Sequence, residues 1–172
     1  MAAPDASRVA RSTVAWCQEQ VGTLEWPPGS NRGPGIEDWQ REFGDGMIGQ
    51  PWCGAFLGYA LRHVAGVEVP DQIVWVPHVM EWARHGRDGF VSWSGWGAGR
   101  LGDLVLLSVE AGGEIDHMGI HVGKTVQLGG ETHVLTIEGN TSSGQGGTEG
   151  VYARARQRSA VVGFARPAYG GP

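Results

Sequence analysis

The chain has 172 residues and a formal net charge of −5 at neutral pH. That length suits one domain with a sizeable core, and the charge has the wrong sign for gripping a phosphate backbone, which needs a basic face. Hydrophobic residues make up 41% and charged residues 18%, a globular rather than a disordered balance.

No apolar run approaches the length of a membrane span. The N-terminus, Met1-Ala2-Ala3-Pro4-Asp5, has neither the basic start nor the apolar core of a secretory signal. The expectation is a protein made in the cytoplasm and released by some other agent if it acts outside. Two cysteines, Cys17 and Cys53, are too few for a disulfide framework. A single bridge between them stays open on sequence grounds, and it would disable any thiol chemistry.

In chain order, residues 5–20 read as an amphipathic helix carrying Val9, Val14, Ala15 and Trp16 and closed by Gly22, with Cys17 as core packing. Residues 25–34 hold too many breakers for regular structure. Residues 36–43 predict a short helix ending at Gly44. Pro51 then suits the start of another helix, along which Phe56, Tyr59, Ala60, His63 and Val64 recur at helical spacing until Gly66. A short helix over residues 77–85 follows, and residues 92–97 read as an irregular loop. From residue 103 the pattern turns to strands, over 103–109, 116–123, 131–139, 151–156 and 160–166. Helices first and then about five short strands predict an α+β domain with an antiparallel sheet. It spans residues 1–168, with 169–172 as the start of a linker.

Cys53 falls in the first turn of its helix. Unpaired N–H groups and the positive end of the helix dipole favour a thiolate there. A lone cysteine is more often a small core hydrophobe, so the assignment rests on finding a base and a group that orients it. Among six histidines, His63 lies too far up the helix, His78 and His85 share a short helix, and His133 sits near a turn. His117 and His121 share one face of one strand, and His117 stands at the strand entrance beside Asp116, where the sheet edge opens towards a cleft. Glu138 and Asn140 close a later apolar strand on one side, and either can accept an imidazole N–H. A zinc site on His117 and His121 is disfavoured, because four strand residues separate their Cβ atoms by roughly 13 Å.

Four segments taken in order, Gln50-Pro51-Trp52-Cys53-Gly54-Ala55-Phe56, Gly102-Asp103-Leu104-Val105, Asp116-His117-Met118-Gly119-Ile120 and Ile137-Glu138-Gly139-Asn140, resemble the CHAP family of cysteine, histidine-dependent amidohydrolases/peptidases. The resemblance runs from the first helix to Gly163-Phe164-Ala165-Arg166-Pro167. The stretch from Glu25 to Asn31 is similar to one found in actinobacteriophage lysins. The resemblance implies a reduced papain-like fold related to the NlpC-type wall peptidases. It implies Cys53 as nucleophile, His117 as general base, Glu138 as the residue orienting the imidazole and Asn140 at an accessory polar position. The Cys53 backbone N–H and the Gln50 side chain would form the oxyanion site.

Some family members carry a calcium loop before the cysteine helix. Here that stretch is Gly44-Asp45-Gly46-Met47-Ile48-Gly49, with one carboxylate, so neither metal nor cofactor is expected. Of the eight tryptophans, Trp16 and Trp39 are expected in the core. Trp52, with Trp26 or Trp75, is expected along a substrate cleft together with Asp116, with the alternative that Trp52 simply anchors its helix left open.

The implied activity is cleavage of an amide in the bacterial cell-wall peptide, as the endopeptidase module of a phage endolysin. The alternatives are an N-acetylmuramoyl-L-alanine amidase with the same catalytic set, a bacterial wall amidase or toxin, and a silent wall-binding module with a structural Cys53. The expected partner is the peptidoglycan stem peptide or cross-bridge, met by a monomer without nucleic acid or membrane, after holin-type release from the host cytoplasm.

Overall fold

Asp5 opens the first helix by accepting the Ser7 N–H at 3.0 Å, which satisfies one of the orphan donors at a helix start. Helix α1 therefore runs Ala6–Glu19 in the computed structural model, which describes residues 5–109 and 113–171. Residues 1–4, which carry part of the expectation of no secretory signal, lie outside the described residues, as do residues 110–112 and Pro172.

Helix α2 spans Ile36–Arg41 and α3 spans Cys53–Tyr59. The latter continues through a π-helical segment, Ala60–Ala65, to a left-handed Gly66. Helix α4, Pro77–His85, begins with proline and ends at left-handed Gly86, the asymmetry expected of a well-punctuated helix.

Six strands follow: β1 Phe90–Ser94, β2 Leu104–Leu107, β3 His117–Leu128, β4 Glu131–Thr141, β5 Gly150–Gln157 and β6 Val161–Pro167. They form one sheet in the order β1-β6-β2-β3-β4-β5, antiparallel throughout. The α+β class and the antiparallel sheet are as expected; the strand count is one higher. The extra strand is β1, which overlaps the stretch expected to be a loop. It pairs at the sheet edge with β6, and its Trp93 lies where a Cβ on Gly163 would come within 2.3 Å of the indole. A bare glycine on the partner strand made room for that ring, a relation between distant residues that no local pattern reveals.

Every residue of β2 is buried, because its two faces meet different cores. Leu104 and Leu106 join Met118, Ile120 and Ile137 beneath the helices, against Phe56, Leu57 and Leu61. Val105 and Leu107 point the other way and pack with Val134 and Phe164. Each large apolar side chain removed from water in this way contributes about 1.5–3 kcal/mol.

Helix α3 begins directly over β4, where a Cβ on Gly139 would stand 2.6 Å from the Trp52 ring. At the C-terminus Tyr169, expected in a linker, packs against the main core and donates its hydroxyl to the Gly102 carbonyl at 2.6 Å.

Candidate active site

Cys53 is the first residue of α3 and is only 6% exposed. Both cysteines are free thiols. Cys17 has no exposed surface, and burial pushes its thiol far up, as suits a packing residue. The start of α3 is held from both sides. The Trp52 N–H donates to Asn140 Oδ1 at 2.9 Å, and the Trp52 indole N–H donates to Glu25 Oε1 at 3.0 Å.

Two expectations are corrected here. Trp52 is not on a cleft wall: it has no exposed surface and packs between the rings of Trp39 and Phe56, because the residue before the helix faces Gly139 of β4. Trp26 and Trp75, by contrast, are 72% and 63% exposed.

Asn140 does not orient the imidazole. The β4–β5 register breaks between Glu138 and Thr141, and Asn140 adopts a left-handed φ of 55°, so its side chain departs from the face that carries Glu138. Its Nδ2 donates to Asn31 Oδ1 at 3.0 Å, Glu149 Oε2 at 3.1 Å and Glu25 Oε1 at 3.4 Å. Asn140, near the end of β4, thus ties the start of α3 to the early loop and to Glu149 just before β5.

His117, the first residue of β3, is 6% exposed. Its Nε2 lies 2.9 Å from Glu138 Oε2, and its other hydrogen-bond partner is the Cys53 side chain. With Nε2 taken by Glu138, Nδ1 is the nitrogen left to meet the sulfur. Glu138 is wholly buried. It reaches the imidazole across Gly119, where a Cβ would stand 2.6 Å from Glu138 Cγ. Burial alone would discharge such a carboxyl. Hydrogen bonds and charge from Arg156 and His117 outweigh that penalty and hold it far below the usual carboxylate range. For His117, burial opposes the charged form, but hydrogen bonds to Cys53 and Glu138 and their charges prevail, raising it to about 10. The imidazolium is therefore the favoured form at neutral pH.

The other named residues fall outside this chain of contacts. Gln50 is exposed, and its backbone carbonyl accepts a hydrogen bond from buried Gln40. Asp116 accepts the Val109 N–H at 2.8 Å through its carboxylate, between the end of β2 and the start of β3. His121 contacts the Leu135 carbonyl and the ring of Phe164, and burial lowers its affinity for a proton. Among the described residues no group of three or more His, Cys, Asp or Glu is placed to hold a metal ion.

Sequence reasoning missed Arg156, Thr136 and Glu25. Arg156 donates through Nε to Glu138 Oε1 at 2.9 Å and through Nη2 to Oε2, while the Thr136 hydroxyl donates to Oε1. Spacing could have flagged Thr136, two residues before Glu138 on the same face. Arg156 depends on how β4 and β5 register, which spacing does not show. No family model, curated protein or solved structure matches the chain. What the geometry offers chemically is a line of thiol, imidazole, carboxylate and guanidinium, the arrangement of a nucleophile with an oriented base.

Proposed function

We propose that this protein is a thiol-dependent peptidoglycan hydrolase with a CHAP-type, papain-like catalytic domain, and that it acts as the endopeptidase module of a phage endolysin. The observation that carries the reading is the contact chain from Cys53 through His117 to Glu138, in which each group has the partner its role needs. The motif resemblance supplies the substrate class.

The steps follow from which atoms face each other. The Cys53 sulfur, paired with His117⁺, attacks an amide carbonyl of the wall peptide. The carbonyl oxygen becomes an oxyanion at the start of α3, where first-turn N–H groups lie outside the helix's own ladder. The Cys53 N–H is the primary donor in this scheme, with the exposed Gln50 side chain beside it. The C–N bond then breaks as His117 Nδ1 gives its proton to the leaving amine, and an acyl-enzyme remains. Neutral His117 takes a proton from water, whose oxygen attacks the thioester, and the acid leaves as the thiolate–imidazolium pair re-forms. Glu138 keeps the ring in the one orientation that serves both transfers.

Mass spectrometry of fragments released from a peptidoglycan of known cross-linking tests the reading. A new amine end within the stem or cross-bridge is the expected product, absent after alkylation of Cys53. Release of intact stem peptides from muramic acid would assign amidase activity instead. Intact peptidoglycan after incubation with the active thiol would overturn the proposal.

A further inference from the structure

Glu138 carries three rotatable bonds, yet its buried carboxylate has to hold one orientation to keep His117 facing Cys53. The groups around it come from each neighbouring element. His117 and the bare Gly119 belong to β3, and Thr136 and Thr141 to β4 itself. Tyr152, Arg154 and Arg156 belong to β5, and Cys53 lies beyond the imidazole. Tyr152 is Glu138's cross-strand partner, but its hydroxyl donates to the Thr148 carbonyl. Arg154 places Nη1 on the Ser142 carbonyl at 2.9 Å. Arg156 alone among them holds both oxygens, Nε on Oε1 and Nη2 on Oε2, and Nη2 also reaches Thr141 Oγ1 at 3.3 Å.

We propose that Arg156 is a positioning residue of this site, whose two-pronged grip fixes the plane of the Glu138 carboxylate and through it the imidazole that faces the thiol. The inference rests on the thiol chemistry proposed above. A guanidinium presents two parallel donors that match a carboxylate edge, whereas a lysine is a single point charge. Oε2 is shared between Arg156 and His117, so rotation of the carboxylate would break both contacts together.

The grip has a consequence for pH. Burial works against the Glu138 charge, and the hydrogen bond from Arg156 is the largest single contribution that overcomes it, followed by those of His117. Without Arg156 the carboxyl takes up its proton at higher pH, and the acid limb of activity moves up towards neutrality. An open cavity of about 340 Å³, lined in part by Ser108, His133, Gln157 and Ser159, reaches Arg156, so a small cation can enter the space that an alanine leaves.

The experiment compares wild type with Arg156→Ala and Arg156→Lys. It follows turnover of peptidoglycan and the rate at which iodoacetamide alkylates Cys53, each across pH, with the alkylated residue located by mass spectrometry. Arg156→Ala is expected to lose turnover on the order of 100-fold at unchanged KM, to shift both acid limbs upward, and to regain rate when millimolar guanidinium is added. Arg156→Lys keeps the acid limb in place and has intermediate turnover.

Wild-type turnover in Arg156→Ala overturns the proposal. So does a lowered turnover with an unmoved acid limb and no response to guanidinium, which marks a merely structural residue. If Arg156→Ala does not fold, Arg156→Lys decides, and wild-type turnover there refutes the grip. If wild-type protein cleaves no peptidoglycan, the reaction assigned above fails, and the alkylation profiles still decide the role of Arg156.

Discussion

His117 holds a proton between two groups that each stabilise it, and Glu138 holds a charge that burial would otherwise remove. The two shifts have opposite signs, and so do the pH dependences of the stability that each contributes. Glu138 is depressed in the folded state, so its contribution is present above the ordinary glutamate value of about 4.3 and is lost as the pH falls. His117 is raised, so its contribution is complete below the ordinary histidine value of about 6.5 and fades as the pH rises through about 10. Calorimetry of wild type and Glu138→Gln should therefore show the widest gap in melting temperature between roughly pH 5 and 6.5, narrowing in acid and in alkali. A gap constant with pH would mean that the pair is not charged. Glu138→Ala should also lose more activity than Asn140→Ala, roughly 100-fold or more. Asn140→Ala should instead cost about 1–3 kcal/mol of stability by leaving the Trp52 N–H and Glu25 short of partners. Denaturant titration beside turnover separates the two, and the reverse order of activity losses would reassign the orienting role.

Helix α3 and strands β3 and β4 meet where side chains are missing. Gly119 leaves the path along which Glu138 reaches the imidazole, and Gly139 leaves the floor on which Trp52 rests. Gly119→Ala should lower turnover sharply, because the new methyl displaces the Glu138 stem, with a stability cost of about 1–3 kcal/mol. A Gly119→Ala protein with wild-type turnover would show that the carboxylate reaches His117 by another path. These glycines also mark how far the elements were legible. Cys53 and His117 were readable because each is the first residue of its element, and Glu138 because it follows the alternation of an apolar strand towards its end. The helices over residues 36–41 and 77–85 were readable from Gly and Pro punctuation. Strand β1 was not, since its pairing depends on Gly163 far along the chain. Asn140 was misplaced because a break in the β4–β5 register turns its side chain off the expected face, and alternation assumes an unbroken strand. Arg156 was invisible because only the register between β4 and β5 brings it to Glu138.

At the scale of the molecule, one sheet separates a large core under the helices from a smaller one on its far face, and the proposed catalytic line sits where α3 abuts that sheet. Glu25 links this junction to the early loop, since its carboxylate takes the Trp52 indole N–H and the next residue is the exposed Trp26. On the other flank, residues Asp71–Val74 pack so tightly on α3 that a Cβ on Gly54 would stand 2.6 Å from the Val74 Cα; exposed Trp75 follows. On the proposed function, these two exposed indoles flanking the start of α3 would contact a long wall strand. Trp75→Ala and Trp26→Ala should each raise KM with kcat unchanged, the signature of lost ground-state binding. Unaltered KM in both would put the substrate elsewhere. The central claim is that the thiol of Cys53 does the chemistry. Its most direct test is the release of free amino groups from purified peptidoglycan by wild type and by Cys53→Ala, each shown by its melting temperature to be folded. The account predicts steady release by wild type and none by Cys53→Ala. Amine release by a folded Cys53→Ala protein would contradict it.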